Sequence, residues 1–214
     1  MIRVLVADDH TIVRDGLRQL LADTPDLVVA GEAANGDELL ARVQENDWNV
    51  LVLDISMPGR SGLDLIRQLK RERPGLPILV FSMHQEEQYA ARALRAGASG
   101  YLTKEADGTL LVAVIRKVAQ GSVYLSEKMT RLLLRELQPG SERPPHETLT
   151  DREFQIFRRI VAGGSVSVVA DELSLSVKTV STHKAHILQK MGMSSTAELV
   201  RYAVENGLVE KAPR

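Results

Sequence analysis

The sequence predicts two folded parts: an α/β doubly wound five-stranded parallel sheet, followed by an all-α helix-turn-helix domain. Three observations predict it. Val50-Leu51-Val52-Leu53 is an apolar run without a polar break, the mark of a central strand buried on both faces, and it ends in Asp54. Around it, β-like and helix-like segments alternate five times before residue 121, as they do when helices cover both faces of a parallel sheet. After a polar, proline-rich stretch at 138–146, a capping box opens a series of short helices with one tight turn.

Residues 3–7 form a first short strand that leads into Asp8-Asp9-His10. From 11 to 22, Ile12, Val13, Leu17, Leu20 and Leu21 recur at helical spacing. A second strand at 27–32 and a second helix at 36–46 precede the central strand. The segment 63–73 is an amphipathic helix stopped by Pro74-Gly75 and Pro77. Residues 78–81 make a fourth strand running out at Ser82, and 86–96 are helical up to Gly97, a C-cap residue. A fifth strand at 99–103 ends at Lys104, and a helix over 107–120 completes the alternation. Ser126 then caps a helix running to Leu137, with Met129, Leu132, Leu133 and Leu137 along one side. Gln138-Pro139-Gly140-Ser141-Glu142-Arg143-Pro144-Pro145-His146 reads as an exposed linker. The expected domains are 1–121, a linker helix and flexible linker at 122–147, and 148–214.

In the second part, Thr150 is the N-cap of a capping box closed by Glu153. The helix it opens turns Phe154, Ile156, Phe157, Ile160 and Val161 inward and ends at Gly163-Gly164. A short helix at 166–173, a turn at Ser174-Leu175-Ser176 and a longer helix at 177–191 give the helix-turn-helix layout. On the longer helix Val180, Ile187, Leu188 and Met191 form the apolar stripe. Lys178, Ser181, Thr182 and Ala185 share another face, flanked by Lys184. Small and hydroxylated side chains there suit entry into a major groove while the lysines meet phosphates. The alternative is a plain solvent-facing helix in a small bundle, since there is no arginine cluster.

Composition narrows the setting. The 214 residues contain no cysteine, which excludes a disulfide framework and a thiolate metal site. The chain enters its first strand without the layout of a cleaved signal, and no apolar run reaches the length of a membrane span. A soluble cytoplasmic protein with no membrane partner is expected. Residues 149–214 carry nine Lys/Arg against seven Asp/Glu, and the remainder 18 against 21. The asymmetry has the sign of a nucleic-acid-binding C-terminal part, but it is small.

The candidate chemistry lies at the carboxyl ends of the strands, where the ligand crevice of an open α/β sheet is found. Asp8, Asp9, Asp54, Ser82 and Lys104 all fall there. Singly each has an ordinary explanation, such as an aspartate capping a turn; their convergence on one sheet edge is what capping leaves unexplained. Packed carboxylates repel one another, and a divalent cation relieves this. Hard oxygen donors suit Mg²⁺. An aspartate oxygen beside such an ion can attack phosphorus to form an aspartyl-phosphate, with Lys104 and the Ser82 hydroxyl binding the phosphoryl oxygens. His10 reads as a loop or helix-start residue and not as a ligand.

With these residues in place, the first half resembles the receiver domain of bacterial two-component response regulators, a flavodoxin-like fold. The resemblance implies that Asp54 accepts a phosphoryl group from a sensor histidine kinase, that Asp8 and Asp9 hold Mg²⁺ with the Ser56 backbone carbonyl, and that Lys104 binds the phosphoryl group. It makes Ser82 the hydroxyl switch residue and Tyr101 the aromatic one, while Pro58 and Gly62 fit the loop after the phosphoacceptor. Leu149-Thr-Asp-Arg-Glu153 and Leu175-Ser-Val-Lys-Thr-Val-Ser-Thr-His183 resemble the LuxR-type helix-turn-helix, so nearly the whole chain is similar to the NarL/FixJ family of transcription regulators. That implies binding of promoter DNA by the third helix of the second part, with Thr179 and His183 at positions that contact the DNA backbone or pack. It also implies a homodimer contact through a fourth helix that starts at Thr196 and ends at Asn206, and leaves room for a contact with RNA polymerase. Two features depart from the family: Gly163-Gly164-Ser165 and Val168-Val169-Ala170 replace a more polar lead into the second helix, and few basic residues flank the groove face.

The expectation is therefore a phosphorylation switch and not a turnover enzyme, with phosphate on Asp54 drawing Ser82 and Tyr101 inward. Two rivals remain. A Mg²⁺-dependent phosphatase with an aspartate nucleophile needs a second acid two residues on, where Ser56 stands. A regulator whose first domain senses a ligand without phosphorylation has no need of Asp8, Asp9, Asp54 and Lys104 together.

Overall fold

The computed structural model describes residues 1–58, 61–136 and 144–209. Its contacts divide the chain into two compact units, Met1–Leu137 and Gln138–Arg214.

The first unit is built on β1 (Ile2–Ala7), β2 (Leu27–Ala33), β3 (Val50–Leu53), β4 (Ile78–Ser82) and β5 (Gly100–Thr103), in the spatial order β2-β1-β3-β4-β5. Every neighbouring pair is parallel, so each connection is a helical crossover. The helices are α1 (Thr11–Ala22), α2 (Gly36–Glu45), α3 (Gly62–Glu72), α4 (Glu86–Ala96) and α5 (Gly108–Ala119), followed by α6 (Glu127–Glu136). Strand side chains alternate between faces. Val4, Val6, Val50, Val52, Leu79, Phe81 and Leu102 pack with Leu17 and Leu21 of α1 and with Leu111, Ile115 and Val118 of α5. The alternate residues Leu5, Leu51, Leu53, Ile78 and Val80 are equally buried and serve the other layer, where α2, α3 and α4 bury Leu39, Ile66, Leu69 and Ala93.

Strand order reverses between β1 and β3, and this places the site. Ala7 pairs with Leu53, so Asp8 and Asp54 emerge side by side, and the Asp54 N–H donates to the Ala7 carbonyl at 2.8 Å. Ser82 pairs with Thr103, and the Lys104 N–H donates to the Ser82 carbonyl at 2.8 Å.

One assignment needs correcting. The segment 122–147 reads in sequence as linker, yet α6 packs on α4 and belongs with the first unit. Ser126 Oγ donates to Glu86 Oε2, and Met129 is buried. Leu137, expected as the end of this helix, and the linker residues 138–143 lie outside the described residues.

The second unit opens with a single 3-10 turn, Pro145–Thr148, and continues with α7 (Asp151–Val161), α8 (Val166–Glu172), α9 (Val177–Met191) and α10 (Thr196–Glu205). The turn is a second correction, because His146 is docked and not in an exposed linker. Its Nδ1 lies 2.7 Å from the Tyr202 hydroxyl on α10. Each helix starts on a hydroxyl N-cap: Thr150 in a full capping box, then Ser165, Ser176 and Ser195. Phe154, Phe157, Val169, Val180, Ile187, Leu199 and Ala203 close the core. Between α8 and α9, Ser174 takes φ 52, a left-handed conformation that makes the turn tight. Among the described residues, no helix is long and apolar enough to cross a membrane.

Candidate functional site

The ends of β1, β3, β4 and β5 bring Asp8, Asp54, Ser82 and Lys104 into one pocket. Asp8 and Asp54 are each only 2% exposed. The Lys104 ammonium bridges them, 2.6 Å from Asp8 Oδ2 and 2.7 Å from Asp54 Oδ2. Their other oxygens accept backbone N–H groups, Asp54 Oδ1 from Ser56 at 2.9 Å and Asp8 Oδ1 from His10 at 2.9 Å. Burial works against the charge on Lys104, but the hydrogen bonds to Asp54 and Asp8 outweigh it, so its pKa is raised and the side chain is a cation. Asp9 sits on the exposed rim. Ligand atoms of Asp8, Asp9, His10 and Asp54 all lie within 4.8 Å of one another.

These residues fit a divalent cation. Three carboxylates face one ammonium, leaving a surplus of negative charge on hard oxygen donors, the set that suits Mg²⁺. Ser56 stands where its peptide borders the pocket, with its N–H on Asp54 and its Oγ 3.3 Å from Ser82 Oγ. Gly62 fixes the loop that follows Asp54, because a Cβ there would lie 2.4 Å from Ile55 Cα. Pro58 is exposed, and 59–60 fall outside the described residues.

Ser82 and Tyr101 are both fully buried. The sequence reading has phosphate drawing them inward; here they are inside without it. The physical reason is that both hydroxyls have partners. Tyr101 Oη donates to the His84 carbonyl at 2.8 Å, and Ser82 Oγ lies 3.4 Å from the His84 N–H. Burial raises the Tyr101 pKa, so the phenol is a neutral donor.

On α9, Lys178, Ser181, Thr182 and Ala185 are exposed along one face, as the spacing requires. Thr179 and His183 are half-buried and turn toward the unit's own packing. Thr179 Oγ1 lies 2.7 Å from the N-cap Ser176 Oγ. His183 Nδ1 is buried without a hydrogen-bond partner, and burial lowers the pKa of the ring. Lys184 is half-buried on the flank. Two residues that the sequence reading passed over, His186 and Gln189, extend the exposed face by a further turn; carrying the spacing of Thr182 and Ala185 on by four residues finds both. On α10, Leu199 and Ala203 point inward while Val204 is 63% exposed, leaving an apolar residue on the outer face. His10 is the other omission, since its ring nitrogen lies beside the carboxylates.

A doubly wound domain with a lysine-bridged aspartate pair, joined to a helix-turn-helix unit, is the make-up of a two-component response regulator. Residues 4–116 match the family model described as response regulator receiver domain, and 147–203 that of bacterial regulatory proteins, luxR family. The chain belongs to the NarL/FixJ family of response regulators. It is 40% identical to response regulator GacA of Pseudomonas protegens over 98% of this chain and 99% of that protein. Among solved structures it resembles RcsB from Salmonella enterica serovar Typhimurium bound to promoter rprA in the presence of phosphomimetic BeF3−. The TM-score is 0.66 at 28% identity, covering 95% of this chain and 99% of that one. It also resembles a structure of two RcsB dimers bound to two parallel DNAs, at TM-score 0.59 and 29% identity over 95% and 98% of the two chains.

Proposed function

We propose that this response regulator is switched by phosphorylation of Asp54 and acts as a transcription regulator. A sensor histidine kinase presents a phosphohistidine, and an Asp54 oxygen attacks its phosphorus. The P–N bond breaks, and the imidazole leaves and takes up a proton. The observation that carries the reading is the Lys104 bridge between Asp8 and Asp54. That ammonium is placed to move with the negative charge from the carboxylate to the phosphoryl oxygens, and the Ser82 hydroxyl lies near enough to donate to one of them. Asp8, Asp9, Asp54 and the Ser56 carbonyl are the residues assigned to Mg²⁺. When bound, that ion neutralises carboxylate and phosphoryl charge.

The inward Ser82 and Tyr101 support a switch in which the phosphoryl group stabilises an arrangement already accessible to the protein. The downstream events are dimerisation through α10, contact of Lys178, Ser181, Thr182 and Ala185 with the major groove of promoter DNA, and support of the helix by Thr179, His183 and Lys184. RNA polymerase is a further partner of a promoter-bound regulator. RcsB, bound to promoter DNA with a phosphomimetic, supports the reading by analogy. The reading describes a switch with no turnover chemistry of its own.

The test measures oligomer size and retention of a genomic DNA pool with and without acetyl phosphate and Mg²⁺, for wild type and Asp54→Asn. The expected result is a shift to dimer and tighter DNA retention in wild type alone. Equal behaviour of the two proteins, with neither phosphorylated, refutes the reading.

A further inference from the structure

The geometry points to His10 as a nitrogen ligand of the cation pocket, giving the site a preference for six-coordinate transition-series dications over Mg²⁺. The inference rests on the reading of Asp8, Asp9 and Asp54 as a cation site and extends it to a donor of a different kind.

His10 occupies the N-cap position of α1, where an aspartate, serine or asparagine side chain usually accepts from the helix N–H groups. The imidazole makes no such bond. Its ring is instead turned to the carboxylates, with Nδ1 3.2 Å from Asp8 Oδ1 and 3.0 Å from Asp9 Oδ1. Those separations carry the argument. Ligand bonds of about 2.1 Å from a six-coordinate ion set adjacent donors about 3.0 Å apart, the edge of the octahedron. Nδ1 and the two Oδ1 atoms thus stand at the spacing of three donors sharing one face. Lys104 occupies Asp8 Oδ2 and Asp54 Oδ2, so the ammonium does not take the Oδ1 side on which His10 lies. His10 is also 60% exposed, so an ion and its waters reach this side from solvent.

Replacing one oxygen donor with imidazole changes which ion is favoured. Mg²⁺ prefers oxygen and keeps its waters, whereas imidazole suits transition-series ions. The His10 main-chain N–H bond to Asp8 Oδ1 survives any non-proline substitution, so the local turn stays while the ring is changed.

The experiment titrates the full-length protein, and its His10→Asn and His10→Ala variants, with Mn²⁺ and separately with Mg²⁺ by calorimetry. Pulsed electron paramagnetic resonance of the Mn²⁺ form reads nitrogen directly bound to the ion. Asn offers an oxygen near the place of Nδ1, and Ala offers nothing. The expected result is a directly bound nitrogen in wild type that is absent from both variants, with Mn²⁺ affinity falling at least about tenfold in His10→Ala and Mg²⁺ affinity nearly unchanged in His10→Asn. Mn²⁺ and Mg²⁺ binding without a nitrogen signal, and with equal Mn²⁺ affinity in all three proteins, overturns the role of His10 and leaves the carboxylate site standing. No binding of either ion to wild type overturns both.

Discussion

Lys104→Met isolates the electrostatics of the pocket. The ammonium lies 2.6 Å and 2.7 Å from two carboxylates that are otherwise closed off from water. Methionine fills a similar volume and removes the charge, leaving Asp8 and Asp54 on adjacent strands with no cation between them. Removing one partner of a buried ion pair costs about 3–5 kcal/mol, because the remaining charge is desolvated and unpaired. With a urea slope of about 2 kcal/mol/M, the unfolding midpoint of the first unit falls by about 1.5–2.5 M. Trp48 is the sole tryptophan and lies in that unit, with its Nε1 donating to the Arg42 carbonyl at 3.0 Å. Its fluorescence therefore follows this unit in the full-length protein. Measured in chelator, the gap between variant and wild type is widest. Saturating Mg²⁺ stabilises the folded state of both by linkage, about 2.7 kcal/mol at a hundredfold excess over Kd, and more in the variant, where no ammonium competes for the carboxylates. The gap therefore narrows. Equal midpoints in chelator, or a gap indifferent to Mg²⁺, refutes the assignment of Lys104 as the counter-charge of a cation site.

Further outcomes follow from other parts of the molecule. Gly62→Ala places a methyl 2.4 Å from Ile55 Cα and destabilises the first unit by about 1–3 kcal/mol, read by the same fluorescence, with weakened Mg²⁺ binding as the Asp54 loop is displaced. In the second unit, burial holds the His183 pKa below its usual 6.5. The unfolded chain then takes up the proton first as pH falls, so this stability is complete above about pH 6.5 and lost below it. Amide exchange on α9 accelerates between about pH 7.5 and 5.5, and His183→Leu removes that pH dependence. For Glu153, burial opposes ionisation, but Lys190 at 2.7 Å and Thr150 lower the pKa overall, so its contribution holds above about pH 4.5 and fails only below. A phosphate contact by Lys178 requires that Lys178→Gln shallow the slope of log K against log salt by about 0.9 for bound DNA; an unchanged slope removes Lys178 from the interface.

Much of this was legible in the sequence, for identifiable reasons. The unbroken run from Val50 to Leu53 admits few environments besides a strand covered on both faces, and Asp54 at its end follows with it. Hydroxyl caps and glycine stops fixed α7, α8 and α9 to within a residue or two, since those signals act within one turn of the chain. What escaped depends on partners remote in sequence. The packing of α6 is decided by contacts with α4, Glu86 among them, and the docking of His146 by Tyr202, 56 residues further on. His10 was read as a loop residue because spacing alone does not say which way an imidazole at a helix start will turn.

Ser82 and Tyr101 were legible as a pair but not as to their state, and the structure gives the reason in one residue. His84 offers its N–H to Ser82 Oγ and its carbonyl to Tyr101 Oη, while its ring stacks on Tyr89 of α4 at 4.5 Å. A phosphoryl group that claims the Ser82 hydroxyl therefore acts on the peptide that also holds Tyr101 and abuts α4. From α4 the contacts continue through Glu86 to Ser126, the residue that starts α6. Contiguity of this kind is not yet coupling. A double-mutant cycle between Ser82→Ala and Glu86→Gln, read on the exchange of α6 amides with and without acetyl phosphate, separates the two. A coupling energy that grows on phosphorylation makes His84 the relay from pocket to helix, whereas strict additivity leaves α6 as packing alone.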